Sequence, residues 1–205
     1  MSLIGCDAPG RNIEQHDIFF GIGHELKDLV PQIKSFWPEA IKPHLDAWRE
    51  VTNVDGYSIT INEKNIEPGN PTRHSPLATP LSPLASPLSP LATSHSPLPR
   101  LFFLNLGGYK KDEFEEYHYR MLAIATDKGQ AINKAKETAF FKHTGFKGAT
   151  SHVDDKYGVD VDGVVEIKDI LSKDLRDRFG IRIEKVTEEM REDKVNLGYF
   201  LLEKL

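Results

Sequence analysis

The chain has 205 residues, 39% of them hydrophobic and 28% charged, with a formal net charge of −5. Such a length accommodates two modest globular modules, and the acidic surplus argues against a nucleic-acid scaffold, which normally carries a basic one. The single cysteine, Cys6, excludes an internal disulfide and any CxxC zinc or redox pair.

From the N-terminus the chain reads LIGC, then EQHDIFFGIG, two runs whose β-branched and aromatic residues predict strands. Glycine, proline and charge follow the first run within a few residues, so no signal peptide is expected. No apolar run approaches membrane-spanning length, and a cytoplasmic protein without a membrane partner is the expectation. Leu26, Leu29, Val30, Ile33, Phe36 and Trp37 recur at helical spacing, with a helix start near Asp28 that places Pro31 in the first turn. HLDAW and VDGYSITI complete a first unit, 1–67, with Asp55-Gly56 predicting the tight turn of a hairpin.

Residues 68–99 form a proline-, serine- and leucine-rich linker. Its leucines alternate three and four apart like a coiled-coil seam, but the stretch from Ser75 through Pro99 contains seven prolines. Each would cost a helix about 3 kcal/mol, so the segment is expected to act as a semi-rigid spacer.

The second unit, 100–205, restates the first. RLFFLNLGG and EYHYRMLAIAT predict strands. Asp127 and Gln130 open a helix whose expected apolar face is Ile132, Ala135, Ala139 and Phe140, with Gly145 as its stop. HVDDKY and VDGVVEI follow, the Asp162-Gly163 pair again predicting a hairpin turn. A short helix over 169–179, stopped by Gly180, and the strands IRIEKV and NLGYFLLEKL close the chain. Gly5 and Gly107, Glu14 and Glu116, His16 and His118 share an offset of 102 residues. The expected fold is therefore α+β: two tandem β-β-α-β-β units with antiparallel sheets, followed by a C-terminal helix and strands.

The stretches GRNIEQHDIFFGIG, FWPEA, HLDAWREV, VDGY, LFFLNLGGY, FKHTGFKGATSHVDDKYGVDVD and LGYFLLEKL resemble a bacterial family, domain of unknown function 1543, in its two-copy form. The resemblance covers nearly everything outside the proline repeat. It implies an α+β fold and brings no activity, substrate or cofactor.

The sharpest chemical signal is His-x-Asp, at His44/Asp46 and again at His152/Asp154. In a strand, residues i and i+2 share a face. If a neighbouring strand supplies His16 or His118, each unit offers two imidazoles and a carboxylate, a ligand set for a divalent metal with open positions. Glu14 and Glu116 would stand behind it. The competing account is that these polar residues fix turns or bond to backbone.

A second candidate is the loop carrying Lys142, His143, Lys147, Thr150 and Ser151, which suits a small anion but lacks a phosphate-loop pattern and follows a helix C-terminus. The acidic run Asp154, Asp155, Asp160 and Asp162 fails the calcium-loop spacing. No GxSxG or HExxH motif is present. The sequence thus predicts a binding or interaction module for a protein or small polar ligand, with a metal-dependent enzyme and an anion-binding loop as alternatives.

Overall fold

A computed structural model describes residues 1–64, 97–109, 114–138, 159–187, 190–191 and 193–205. Among the described residues, ten strands form three antiparallel sheets. In the first sheet, β1 (Ser2–Asp7) lies between β2 (Gln15–Phe19) and β3 (Ile41–Trp48), and β10 (Asn196–Leu201) extends the far edge of β3. β4 (Asn53–Val54), β5 (Tyr57–Glu63) and β9 (Phe179–Lys185) make the second sheet. In the third, β6 (Arg100–Tyr109) is flanked by β7 (Glu116–Ala125) and β8 (Val159–Glu166). The fold is α+β.

Two of these sheets are built alike. β3-β1-β2 has the same order and directions as β8-β6-β7. Gly5 pairs with His16 as Gly107 pairs with His118. Across the other edge of the central strand, Gly5 faces His44 and Gly107 faces Asp160. Both sheets carry a bulge at one corresponding place, after Leu3 and after Asn105, leaving Asp46 and Asp162 unpaired in the ladder. The register therefore sets Asp160 and Asp162, and not His152 and Asp154, at the positions of His44 and Asp46.

One face of each sheet is covered by a helix. A 3-10 turn over Leu26–Leu29 leads into α1 (Val30–Phe36), and Pro31 falls in its first turn as expected. Ile33 of α1 is fully buried against Ile4, Phe19, Leu45 and Leu202, a burial that contributes roughly 1.5–3 kcal/mol for such a side chain. Phe36 stays 46% exposed, so the apolar stripe is narrower than its spacing predicts. On the third sheet, α2 (Lys128–Lys136) lays Ala131 and Ala135 against Phe102, Leu104 and Leu106. Small residues form this face because they let the helix approach the large β6 side chains. Ile132, assigned to the face from sequence, is half-buried. The helix ends at Glu137, ahead of Gly145; Ala139, Phe140 and Gly145 lie outside the described residues.

The two halves share a core of Val54, Ile59, Leu101, Leu122, Ile124 and Ile167. Asp55 reinforces it, its carboxylate accepting from the Ile124 N–H at 2.9 Å and from the Lys134 ammonium at 2.8 Å. Asp55-Gly56 is the predicted turn, with φ of 54° and 74°, the left-handed pair of a two-residue hairpin. Asp162-Gly163 is not a turn. It sits inside β8, where the bulge accounts for the aspartate and the ladder to β6 continues on either side.

The single predicted helix over 169–179 is two short ones, α3 (Ile167–Ile170) and α4 (Lys173–Arg178). Ser172 separates them and caps the second, its hydroxyl accepting from the Leu175 N–H. Phe179 and Gly180 already belong to β9.

Candidate functional site

Gly5 is the centre of the candidate site. It pairs with His16 on one side and His44 on the other, so the two imidazoles stand in one row with β1 between them. The sequence expectation of His16 on the strand next to His44 is thereby corrected: the rings meet across an intervening glycine. A Cβ built on Gly5 would lie 2.5 Å from His44 Nε2 and 2.8 Å from Asp46 Oδ2.

Four side chains converge over that glycine. His44 Nε2 is 3.1 Å from Glu14 Oε1 and 3.3 Å from Asp46 Oδ1. His16 Nε2 is 3.3 Å from Glu14 Oε2 and 3.1 Å from Asp46 Oδ2. Each carboxylate thus spans both imidazoles. Glu14, placed behind the ligands by the sequence reading, is in direct contact with both rings.

His44 is held from two further directions. Its Nδ1 lies 3.2 Å from the Lys42 carbonyl oxygen, which only accepts, so Nδ1 carries the proton of that contact. Lys42 itself has a φ of 49°, a left-handed conformation unusual for a lysine. Tyr199 of β10 stacks on the ring with centroids 4.0 Å apart. The result is an imidazole only 2% exposed, while Glu14 and His16 remain 41% and 38% exposed. One side of the cluster is therefore shut and the other open to solvent.

Two buried atoms here have no hydrogen-bond partner: His44 Nε2 and Asp46 Oδ2. Both have neighbours at ion-pair distance, Glu14 and Asp46 Oδ1 for the first and His16 Nε2 for the second, without the alignment of a hydrogen bond. Buried polar atoms are seldom left this way. Both orphan atoms border the space above Gly5.

Among the described residues, no group of three or more His, Cys, Asp or Glu side chains is arranged to hold a metal ion as it stands. The donors instead touch one another. Their N···O separations of 3.1–3.3 Å match those of neighbouring ligands, which bonds of about 2.1 Å to one ion place roughly 3.0–3.4 Å apart. Two imidazoles with two carboxylates suit divalent zinc, iron or manganese. The Nδ1 contact to a carbonyl is the usual way a ligating histidine is oriented.

In the third sheet, His118 Nε2 lies 4.0 Å from Glu116, and its Nδ1 is 3.1 Å from the Asn105 amide nitrogen. His152, Asp154, Lys142, His143, Lys147, Thr150 and Ser151 lie outside the described residues. Cys6 is fully buried, which pushes its thiol up and removes it as a nucleophile. Sequence reasoning missed Gly5 and Tyr199 as parts of the site. The recurrence of Gly5 at Gly107 was the signal available for the first; nothing local marked the second.

Residues 11–61, which include all four converging side chains, match the family described as Domain of Unknown Function (DUF1543). No curated protein matches the chain at a significant level. The crystal structure of a protein Il1583 from Idiomarina loihiensis is similar over 98% of this chain and 94% of that one, with a TM-score of 0.54 and 20% identity. That similarity is one of fold. No helix among the described residues is long and apolar enough to cross a membrane.

Proposed function

We propose that the protein is a divalent-cation-binding module whose site is Glu14, His16, His44 and Asp46. The observation that carries this reading is the pair of buried atoms His44 Nε2 and Asp46 Oδ2, which lack an aligned hydrogen bond while standing 3.1–3.3 Å from oppositely disposed imidazole and carboxylate atoms over Gly5. Two carboxylates concentrate negative charge there, and a divalent ion balances it. The exposed flank at Glu14 and His16 leaves coordination positions for water or a small polar ligand. The acidic balance and the lone buried cysteine support a cytoplasmic setting and a small-molecule partner over a nucleic acid.

We also infer that 1–67 and 100–205 descend from one duplicated unit joined by the 68–99 linker. Support comes from the shared strand order, the Gly5/Gly107 register and the matching bulges. The second unit has an aspartate at the register position of His44, which makes the first the better cation site.

The test is metal analysis of untagged protein, stripped with chelator and dialysed separately against zinc, manganese and, without oxygen, ferrous ion. At least about one equivalent is expected to remain with one of them, and His44→Ala and His16→Ala should each remove one equivalent while circular dichroism stays unchanged. Retention below about 0.1 equivalent for all three metals, or full retention in both variants, refutes the reading.

A further inference from the structure

A cleft of about 930 Å³ separates β2 and α1 from the third sheet with α3 and α4, a size typical of small-molecule sites. It reaches beyond the cation site, sharing with it the His16 side chain. Phe19, Phe20, Phe36 and Phe103, drawn from both halves of the chain, give it aromatic walls. Phe20 and Phe103 meet edge to face at 5.5 Å, and Phe19 and Phe36 lie 5.4 Å apart.

The charges in the walls are not equally engaged. Arg178 lies 3.8 Å from Glu63 and its guanidinium rests 5.0 Å over the Phe179 ring. Asp17 accepts from the Ile18 N–H at 2.6 Å. Arg120 is different. It is half-buried, stands opposite Asn105 in the β6–β7 register, and has no ion-pair partner among the described residues. A guanidinium without a counter-charge is free to take one from a ligand, and its planar fork matches a carboxylate with two parallel hydrogen bonds. Two arginines and two aspartates line the cleft, so its formal charge is balanced and it offers no cluster of cations for a polyphosphate.

We propose that this cleft binds a small aromatic monocarboxylate, the carboxylate on Arg120 and the ring between the phenylalanines. Ring contacts of that kind add to the burial of the aromatic surface. The proposal does not require an occupied cation site.

Calorimetric titration of the full chain, metal-stripped, with 3-phenylpropionate and with 3-phenylpropionamide tests it. The two differ in charge and scarcely in shape. Saturable binding of the acid is expected, with the amide at least about tenfold weaker, since the charge-assisted bonds are lost. Arg120→Gln should bring the acid down to the level of the amide and leave the amide unchanged. Equal affinity of the two, absence of saturable acid binding, or an acid affinity untouched by Arg120→Gln overturns the proposal. Should Arg120→Gln fail to fold, the wild-type comparison stands alone, with Phe36→Ala, at an already exposed position, expected to weaken both ligands. Using metal-stripped protein keeps this outcome separate from that of the cation test.

Discussion

Gly5 occupies its place because nothing larger fits beneath two imidazoles. His44 cannot retreat: Tyr199 covers its ring, and the Lys42 carbonyl holds Nδ1. Gly5→Ala would set a methyl group 2.5 Å from His44 Nε2, closer than any relaxed contact. The expected cost is about 1–3 kcal/mol, as for overpacked interiors, together with at least a tenfold loss of cation affinity. Chemical denaturation and metal titration of the variant measure the two effects. A variant equal to wild type in both would show that the space over Gly5 is not the site. His16, His44 and Asp46 were legible as residue types in the sequence. That Glu14 bridges both rings was not, because it depends on how the loop before β2 returns across the sheet.

At the scale of elements, one dipeptide takes two forms. Asp55-Gly56 is a turn and Asp162-Gly163 a bulge inside a strand. Local propensity allows both, and the β6–β8 ladder decides the second. The caps were easier to read. Asp127 caps α2 by accepting from the Gln130 N–H at 2.9 Å, with the Thr126 hydroxyl adding a further bond. The Gln130 N–H, followed by the Thr126 hydroxyl, holds the Asp127 carboxyl below its ordinary value. A folded-state value below the unfolded one means that the unfolded chain takes up the proton first as pH falls. The contribution is therefore complete above the ordinary carboxylate value and disappears as pH drops through the depressed one. Asp127→Asn keeps a capping oxygen without titrating. Its melting temperature should accordingly fall less than that of wild type on acidification; parallel profiles of the two proteins would contradict the cap's ionic share.

The whole molecule is closed by its C-terminus. β9 pairs with β5 over seven residues, β10 pairs with β3, and Leu202 enters the core of the first sheet. The Asp193 carboxylate accepts from the N–H groups of Thr52 and Asn53 at 2.8 and 3.0 Å. Residues 1–64 alone would leave the edges of β3 and β5 bare and His44 without Tyr199. Expressed separately, this fragment should be largely unfolded by circular dichroism, and co-expression with 97–205 should restore a complex with native-like melting. A fragment 1–64 that folds cooperatively would show the N-terminal half to be self-sufficient.

The sequence by itself determined the class of fold, the antiparallel strands and the Pro31 and Asp127 helix starts. Those follow from hydrophobic period, turn chemistry and caps, which act over a few neighbouring residues. Tertiary structure alone decided that His16 and His44 meet across Gly5, that Asp162 lies in a bulge, and that the last strand, β10, completes the first sheet. Each of these depends on register between distant segments, fixed by which faces are buried together and not by any local preference.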